Sequence, residues 1–129
     1  MNGNLLDTNA ALFTLANDPR LSQKLRDAIS AGPNYLSVAC YWEVLIKSMK
    51  GKLAVGDPRI WWTLGLKQLV ASPLDIRSDH VERVFDLPPI HHDPFDRMLI
   101  AQAIAEGLTL VTTDAEIARY ASPSLQVIF

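Results

Sequence analysis

The sequence predicts an α/β fold, a three-layer α/β/α sandwich around a parallel sheet of about five strands in the order 3-2-1-4-5. Short apolar runs alternate with longer segments of helical spacing along the whole chain, and several helical segments carry their own start and stop residues. That alternation is the pattern of a parallel sheet covered on both faces. No internal repeat and no low-complexity stretch interrupts it.

The first strand is the apolar run at residues 4–6, too brief for a helix, which ends at Asp7 and meets the turn-favouring Thr8 and Asn9. A short helix over residues 10–16 follows. Asp18 and Pro19 supply an N-cap and a proline at the first helical position, which predicts a second helix to about residue 30, stopped by Gly32 and Pro33. Residues 35–38 have the β-branched and aromatic character of a buried strand, after which Trp42, Leu45, Ile46 and Met49 fall at helical spacing. Beyond Gly51, Gly56 and Pro58 lead into a helix through Trp61 and Trp62 that ends near residues 71–73. Residues 74–76 make a third short strand, Ser78 and Asp79 cap a helix through Phe85, and Pro88 with Pro89 breaks it. Asp93 and Pro94 repeat the cap-and-proline signature, starting a helix over residues 95–106 that Gly107 ends. Residues 108–111 give the fourth strand, a brief helix follows Asp114, and residues 125–129 give the last strand.

With 129 residues, 49% of them hydrophobic and 20% charged, the chain is expected to fold as one domain, residues 1–129, with a single core. The one cysteine, Cys40, has no internal partner, so nothing points to an oxidising compartment. The start MNGNLLDTNA lacks a basic region and a long apolar run, and no later stretch is apolar enough to cross a bilayer. A soluble, cytoplasmic protein with no membrane partner is expected. The net charge of −2 argues against holding nucleic acid by basic surface alone, unless a metal supplies the positive charge.

Asp7, Glu43, Asp96 and Asp114 are far apart in sequence, yet each sits where an apolar run gives way to a polar segment. In an open parallel sheet, ligands bind outside the carboxyl ends of the strands where strand order reverses. Asp7 ends the first strand and Asp114 follows the fourth; if the order is 3-2-1-4-5, those two strands are neighbours at the reversal. The first turn of the helix from Pro94 brings Asp96 to the same edge, and Glu43 leans in from the helix after the second strand. Each acid alone has a plain structural explanation: Asp7 and Asp114 as N-caps, Asp96 as a favourable charge in a first helical turn, Glu43 as the partner of Lys47 four residues on. Caps arising by coincidence need not share one side of the sheet. Carboxylates gathered there repel each other unless a cation lies between them, and hard oxygen ligands select Mg²⁺ or Mn²⁺ over zinc. Phosphate esters are the natural substrates of such a site.

These residues resemble the PIN domain, specifically the small single-domain ribonucleases of the VapC toxin type. LLDTNA at residues 5–10 is similar to the family's opening motif, SVACYWEVLIKSMKGKL at 37–53 to its second, and HHDPFDRMLIAQAIAEGLTLVTTD at 91–114 to its most distinctive stretch. The resemblance covers nearly the whole chain. It implies a PIN-like sandwich and a Mg²⁺-dependent (or Mn²⁺-dependent) endoribonuclease that hydrolyses RNA through metal-activated water, leaving a 5′-phosphate and a 3′-hydroxyl. Asp7, Asp96 and Asp114 would hold the ion, with Glu43 completing the site or orienting the water. Asp93 caps the helix or joins the metal shell, and capping is favoured. Asn9, Ser37 and Thr113 are candidate donors that orient the carboxylates, and Lys47 and Lys50 candidate contacts to the RNA backbone. The kinship also suggests a cognate small antitoxin that folds over the site, and a homodimer. Trp61 and Trp62, with Leu64, Leu66, Leu69 and Val70, make an apolar set too wide for one core-facing stripe, so they are either core or partly an interface.

Other chemistries fit less well. No G-x-G-x-x-G follows a strand and no G-x-x-x-x-G-K-[ST] occurs, so nucleotide cradles are excluded. His80, His91 and His92 do not make a zinc set with Cys40, and His91 and His92 read as solvated or packed loop residues. Two alternatives remain: a phosphohydrolase with Asp7 as nucleophile, which would want a second acid where Asn9 stands, and a metal-binding but non-catalytic partner module.

Overall fold

A computed structural model describes residues 3–129; Met1 and Asn2, which open the segment read for a leader, lie outside the described residues. The chain runs β1 (Asn4–Leu6), α1 (Thr8–Leu15), α2 (Gln23–Ala31), β2 (Asn34–Ser37), α3 (Val38–Met49), α4 (Pro58–Gln68), β3 (Ala71–Leu74), α5 (Ser78–Val84), α6 (Pro94–Glu106), β4 (Thr109–Val111), α7 (Ala115–Ala118) and β5 (Val127–Ile128). All strand pairs are parallel, as the alternating pattern predicts, and their order is the expected β3-β2-β1-β4-β5.

Successive side chains of a strand point to opposite faces of the sheet, and Leu5 and Leu6 of β1 are both fully buried, as are Leu110 and Val111 of β4. Helical layers therefore cover both faces of the central strands. The core continues through Leu36 of β2 and Leu99 and Ile100 of α6. At the amino ends of β1 and β2, buried Asn4 and Asn34 bond to each other and to the carbonyls of Ala28, Ile29 and Leu69, which ties the strands to the ends of neighbouring helices. Gly3 has φ +142, and a Cβ there would lie 2.8 Å from the Pro33 carbonyl oxygen, so only glycine fits where β1 approaches β2.

Several elements differ from the sequence expectations or decide between them. The helix after Asp18-Pro19 begins later, at Gln23 with Ser22 as its N-cap, because Asp18 instead accepts the backbone N–H and the guanidinium of Arg20. The third strand is Ala71–Leu74, not residues 74–76, and it contains Pro73. β3 is an edge strand, where a missing N–H breaks no ladder that a further strand needs. In α3 the buried face is Ala39, Cys40, Glu43 and Val44, while Trp42 and Met49 are exposed. Trp61 and Trp62 pack against the core, Trp62 stacked on Tyr41 at 4.8 Å, and the exposed part of that apolar set is Leu64 and Val70. Among the described residues, no helix is long and apolar enough to cross a membrane.

Candidate active site

Asp7, Glu43, Asp96 and Asp114 line one cleft of about 210 Å³, together with Asp93 and Asn9. Each reaches it from a different element. Asp7 follows β1 and caps α1; Asp114 follows β4 and caps α7. Because β1 and β4 are hydrogen-bonded neighbours, residues more than a hundred positions apart meet at their carboxyl ends. Glu43 descends from the second turn of α3 and Asp96 from the first turn of α6, whose N-cap Asp93 accepts the N–H groups of Phe95 and Asp96 through Oδ1.

The acids are held by neighbours of which the sequence singled out only Lys47, the expected partner of Glu43. Asp7 Oδ1 accepts from the Ala10 N–H at 2.7 Å, and Asp7 Oδ2 from the Thr112 hydroxyl at 2.5 Å. The same Thr112 hydroxyl accepts the Asp114 N–H at 2.9 Å, so one side chain ties two of the acids together. Thr8 donates to Glu43 Oε1 at 2.5 Å, and Lys47 closes on Glu43 Oε2 at 2.7 Å. His91 stands 2.7 Å from Asp96 Oδ2 and 4.0 Å from Asp114 Oδ2. It is a loop residue, as expected, partly buried and packed into the cleft against Asp96.

The other expected helpers sit differently. Ser37 is fully buried, with its oxygen accepting the Ala39 N–H as the cap of α3. Asn9 lines the cleft but is exposed, with no side-chain hydrogen bond among the described residues. The hydroxyl on Asp7 belongs to Thr112; Thr113 meets Asp7 through its backbone N–H. Lys47 is in the cleft as the Glu43 ion pair, and Lys50 is exposed outside it.

Burial pushes the Asp7 carboxyl up to about 6, against the opposing hydrogen bonds of Thr112, Ala10 and Thr113, and the nearby Asp114 adds to the rise. Asp96 is also pushed up to about 6, by burial first and then by Asp93 and Glu43, although the His91 hydrogen bond opposes it. His91 is raised by that bond to Asp96, and Lys47 is raised by Glu43. The cleft thus holds more carboxylate than its one lysine and one histidine offset, in a set of hard oxygen donors. A divalent cation fits such a set: His91, Asp96 and Asp114 offer donor atoms within 4.8 Å of one another, and Asp7 and Glu43 line the same cleft. Cys40, buried beneath the acids, has its thiol pushed up to about 12 by burial and is inert.

The PIN domain family model matches residues 5–123, nearly the whole sheet and all four acids. The chain belongs to the PIN domain family. Its fold is shared by chains of solved VapBC structures: a chain of VapBC2 from Rickettsia felis bound to a promoter DNA fragment is 18% identical, with TM-score 0.72, covering 99% of this chain and 98% of that one. A chain of DNA-bound VapBC from Salmonella typhimurium is 20% identical with TM-score 0.71 over 99% and 98% of the two chains. For VapBC-5 from Mycobacterium tuberculosis, of the VapBC family of toxin–antitoxin systems, the figures are 19%, 0.62, 98% and 97%. No curated relative matches the chain.

Proposed function

We propose that this PIN domain is a metal-dependent endoribonuclease, using Mg²⁺ or Mn²⁺, and the VapC-type toxin of a toxin–antitoxin pair, its 129 residues forming one nuclease domain in the cytoplasm. The observation that carries this reading is the convergence of Asp7, Glu43, Asp96 and Asp114 in one cleft with too little positive charge to offset them. In this reading Asp7, Asp96 and Asp114 hold the ion, and Glu43 completes the site or orients the attacking water. Asp93 caps α6 at the rim. Held by these residues, the ion would supply a water of lowered pKa and positive charge against the phosphodiester. Thr112 and Thr8 keep the carboxylates aimed into the cleft, and Lys47, with Lys50 beyond it, offers positive charge to the RNA backbone. Products would carry a 5′-phosphate and a 3′-hydroxyl.

The two alternatives are less well supported. A phosphohydrolase with Asp7 as nucleophile would want a second acid two residues on, and Asn9 stands there, exposed and without a carboxylate. Against a metal-binding but non-catalytic module, all four acids are present in one cleft, which counts against a decayed site.

The partner part of the reading rests on likeness to chains of VapBC complexes and on exposed apolar surface. Trp42 is 58% exposed and Phe85 91%, beside an apolar groove of about 420 Å³ between α3, α5 and α6. Surface of that kind marks protein contacts, here a small antitoxin and a second copy of the chain.

Asp7→Asn and Asp96→Asn are each expected to lower RNA cleavage by at least about 100-fold, the upper end of what losing even an outer partner of a metal ligand costs. EDTA should stop the wild-type reaction and added Mn²⁺ restore it. Full activity of either variant, with circular dichroism unchanged, would overturn the assignment.

A further inference from the structure

We propose that His91 is itself a ligand of the metal, so that the cleft takes a borderline transition cation, Mn²⁺, in preference to Mg²⁺. This rests on the metal-site reading above and deepens it.

Among the described residues, two groups bring a histidine together with two carboxylates: Asp79, His80 and Glu106, and His91, Asp96 and Asp114. The first is filled from within. Arg77 pairs with Asp79 at 2.9 Å and with Glu106 at 2.7 Å, and His80, fully buried, accepts the Arg77 N–H on Nδ1. In the second, no Arg or Lys among the described residues pairs with Asp96 or Asp114. Asp114 Oδ1 caps α7 by accepting the Glu116 N–H, while the Oδ2 atoms of Asp96 and Asp114 stand 2.7 and 4.0 Å from the His91 Nε2, and the three residues offer donor atoms within 4.8 Å of one another. Opposite ligands of one small divalent ion span about 4 Å. A cation takes the place of the hydrogen that Nε2 and Oδ2 share.

The backbone of His91 is built into place, which a solvated loop residue does not require. Its N–H donates to the Tyr120 hydroxyl at 2.8 Å and its carbonyl accepts from Arg97 Nη1 at 3.2 Å. Arg97 also donates to the carbonyls of Pro88, Val84 and Leu87, and the Tyr120 hydroxyl to that of Pro88 at 3.0 Å. Arg97 follows Asp96 directly in α6, so the clamp that holds the histidine is continuous with the acid it faces.

Donor chemistry then sets the metal. Mg²⁺ takes oxygen ligands almost exclusively, whereas an imidazole nitrogen favours first-row transition ions; a set dominated by carboxylates keeps the site hard enough for Mn²⁺ rather than Zn²⁺.

The test is pulsed electron paramagnetic resonance on the purified full chain loaded with Mn²⁺, alongside calorimetric titration with Mn²⁺ and with Mg²⁺. The wild type is expected to show coupling from a directly bound nitrogen, lost in His91→Gln and kept in His92→Gln, whose histidine lines the apolar groove instead. Mn²⁺ affinity should fall on the order of tenfold or more in His91→Gln, the scale on which even outer partners act, with Mg²⁺ affinity changing less. Bound Mn²⁺ without nitrogen coupling in the wild type would overturn the proposal with no variant needed, as would coupling that survives His91→Gln. A wild type that binds neither ion, or an Asp7→Asn variant that binds both as tightly, would instead bring down the metal-site reading and this proposal with it.

Discussion

Asp7 is where the cleft's charge is least comfortable, since it is 3% exposed and pushed up to about 6 by burial. A carboxyl whose pKa is raised on folding contributes stability below its unfolded value, and that contribution is lost as pH rises through about 6. In the metal-free chain near neutral pH the resulting penalty is on the order of 3 kcal/mol. Asp7→Asn is therefore expected to raise the melting temperature of metal-stripped protein at neutral pH, and to lose most of that advantage in acid; thermal unfolding at the two pH values checks this. Thr112 carries the next prediction. Thr112→Val removes the hydroxyl shared by Asp7 and Asp114 and should weaken metal binding by roughly 10–100-fold, while Thr112→Ser keeps it. Calorimetry separates the two. Reading the sequence selected Thr113 instead, one position off, because successive side chains of an extended segment point to opposite faces and VTTD does not say which threonine faces in. His91 was illegible for another reason: its place beside Asp96 depends on Arg97 and on Tyr120, about thirty residues downstream.

Among the elements, α6 was readable nearly to the residue, since Asp93 caps it, Pro94 opens it and Gly107 closes it with φ +67. The same Asp-Pro signature misled at Asp18, where a guanidinium two residues away competes for the carboxylate and Ser22 takes over as cap. β3 was misplaced because proline argues against strand, an argument that lapses at a sheet edge. The segment between α5 and α6 has no regular structure and depends on Arg97 for its shape. Arg97→Leu is expected to cost about 2 kcal/mol of stability and to speed hydrogen exchange at the His91 amide, leaving β1 and β4 amides protected relative to global unfolding. Unchanged exchange at His91 would mean that Tyr120 alone holds the loop.

Across the whole molecule, strand order was the most legible feature and the most consequential. Alternating elements gave a parallel sheet, and the order 3-2-1-4-5 expected for it makes β1 and β4 neighbours, which gathers acids that nothing local in the sequence connects. Which surface meets a partner was less legible: Trp42 and Met49 fall at helical spacing like core residues, yet α3 buries its small residues and turns these outward. A ligand bound only by the folded chain stabilises it, by about 2.7 kcal/mol at a hundred times its dissociation constant. Asp7 and Asp96 must lose their protons to bind metal, and both are pushed up to about 6. Mn²⁺ is thus expected to raise the melting temperature more at neutral pH than in mild acid, and differential scanning fluorimetry at fixed Mn²⁺ reads the difference. The central claim, that the four acids make a metal-dependent ribonuclease, is tested most directly by single-turnover cleavage of a defined RNA by wild type and Asp96→Asn, with Mn²⁺ or EDTA, and with the product ends identified. The account predicts 5′-phosphate ends from the wild type with Mn²⁺ alone and almost no cleavage from the variant; equal cleavage by both, or cleavage that persists in EDTA, would contradict it.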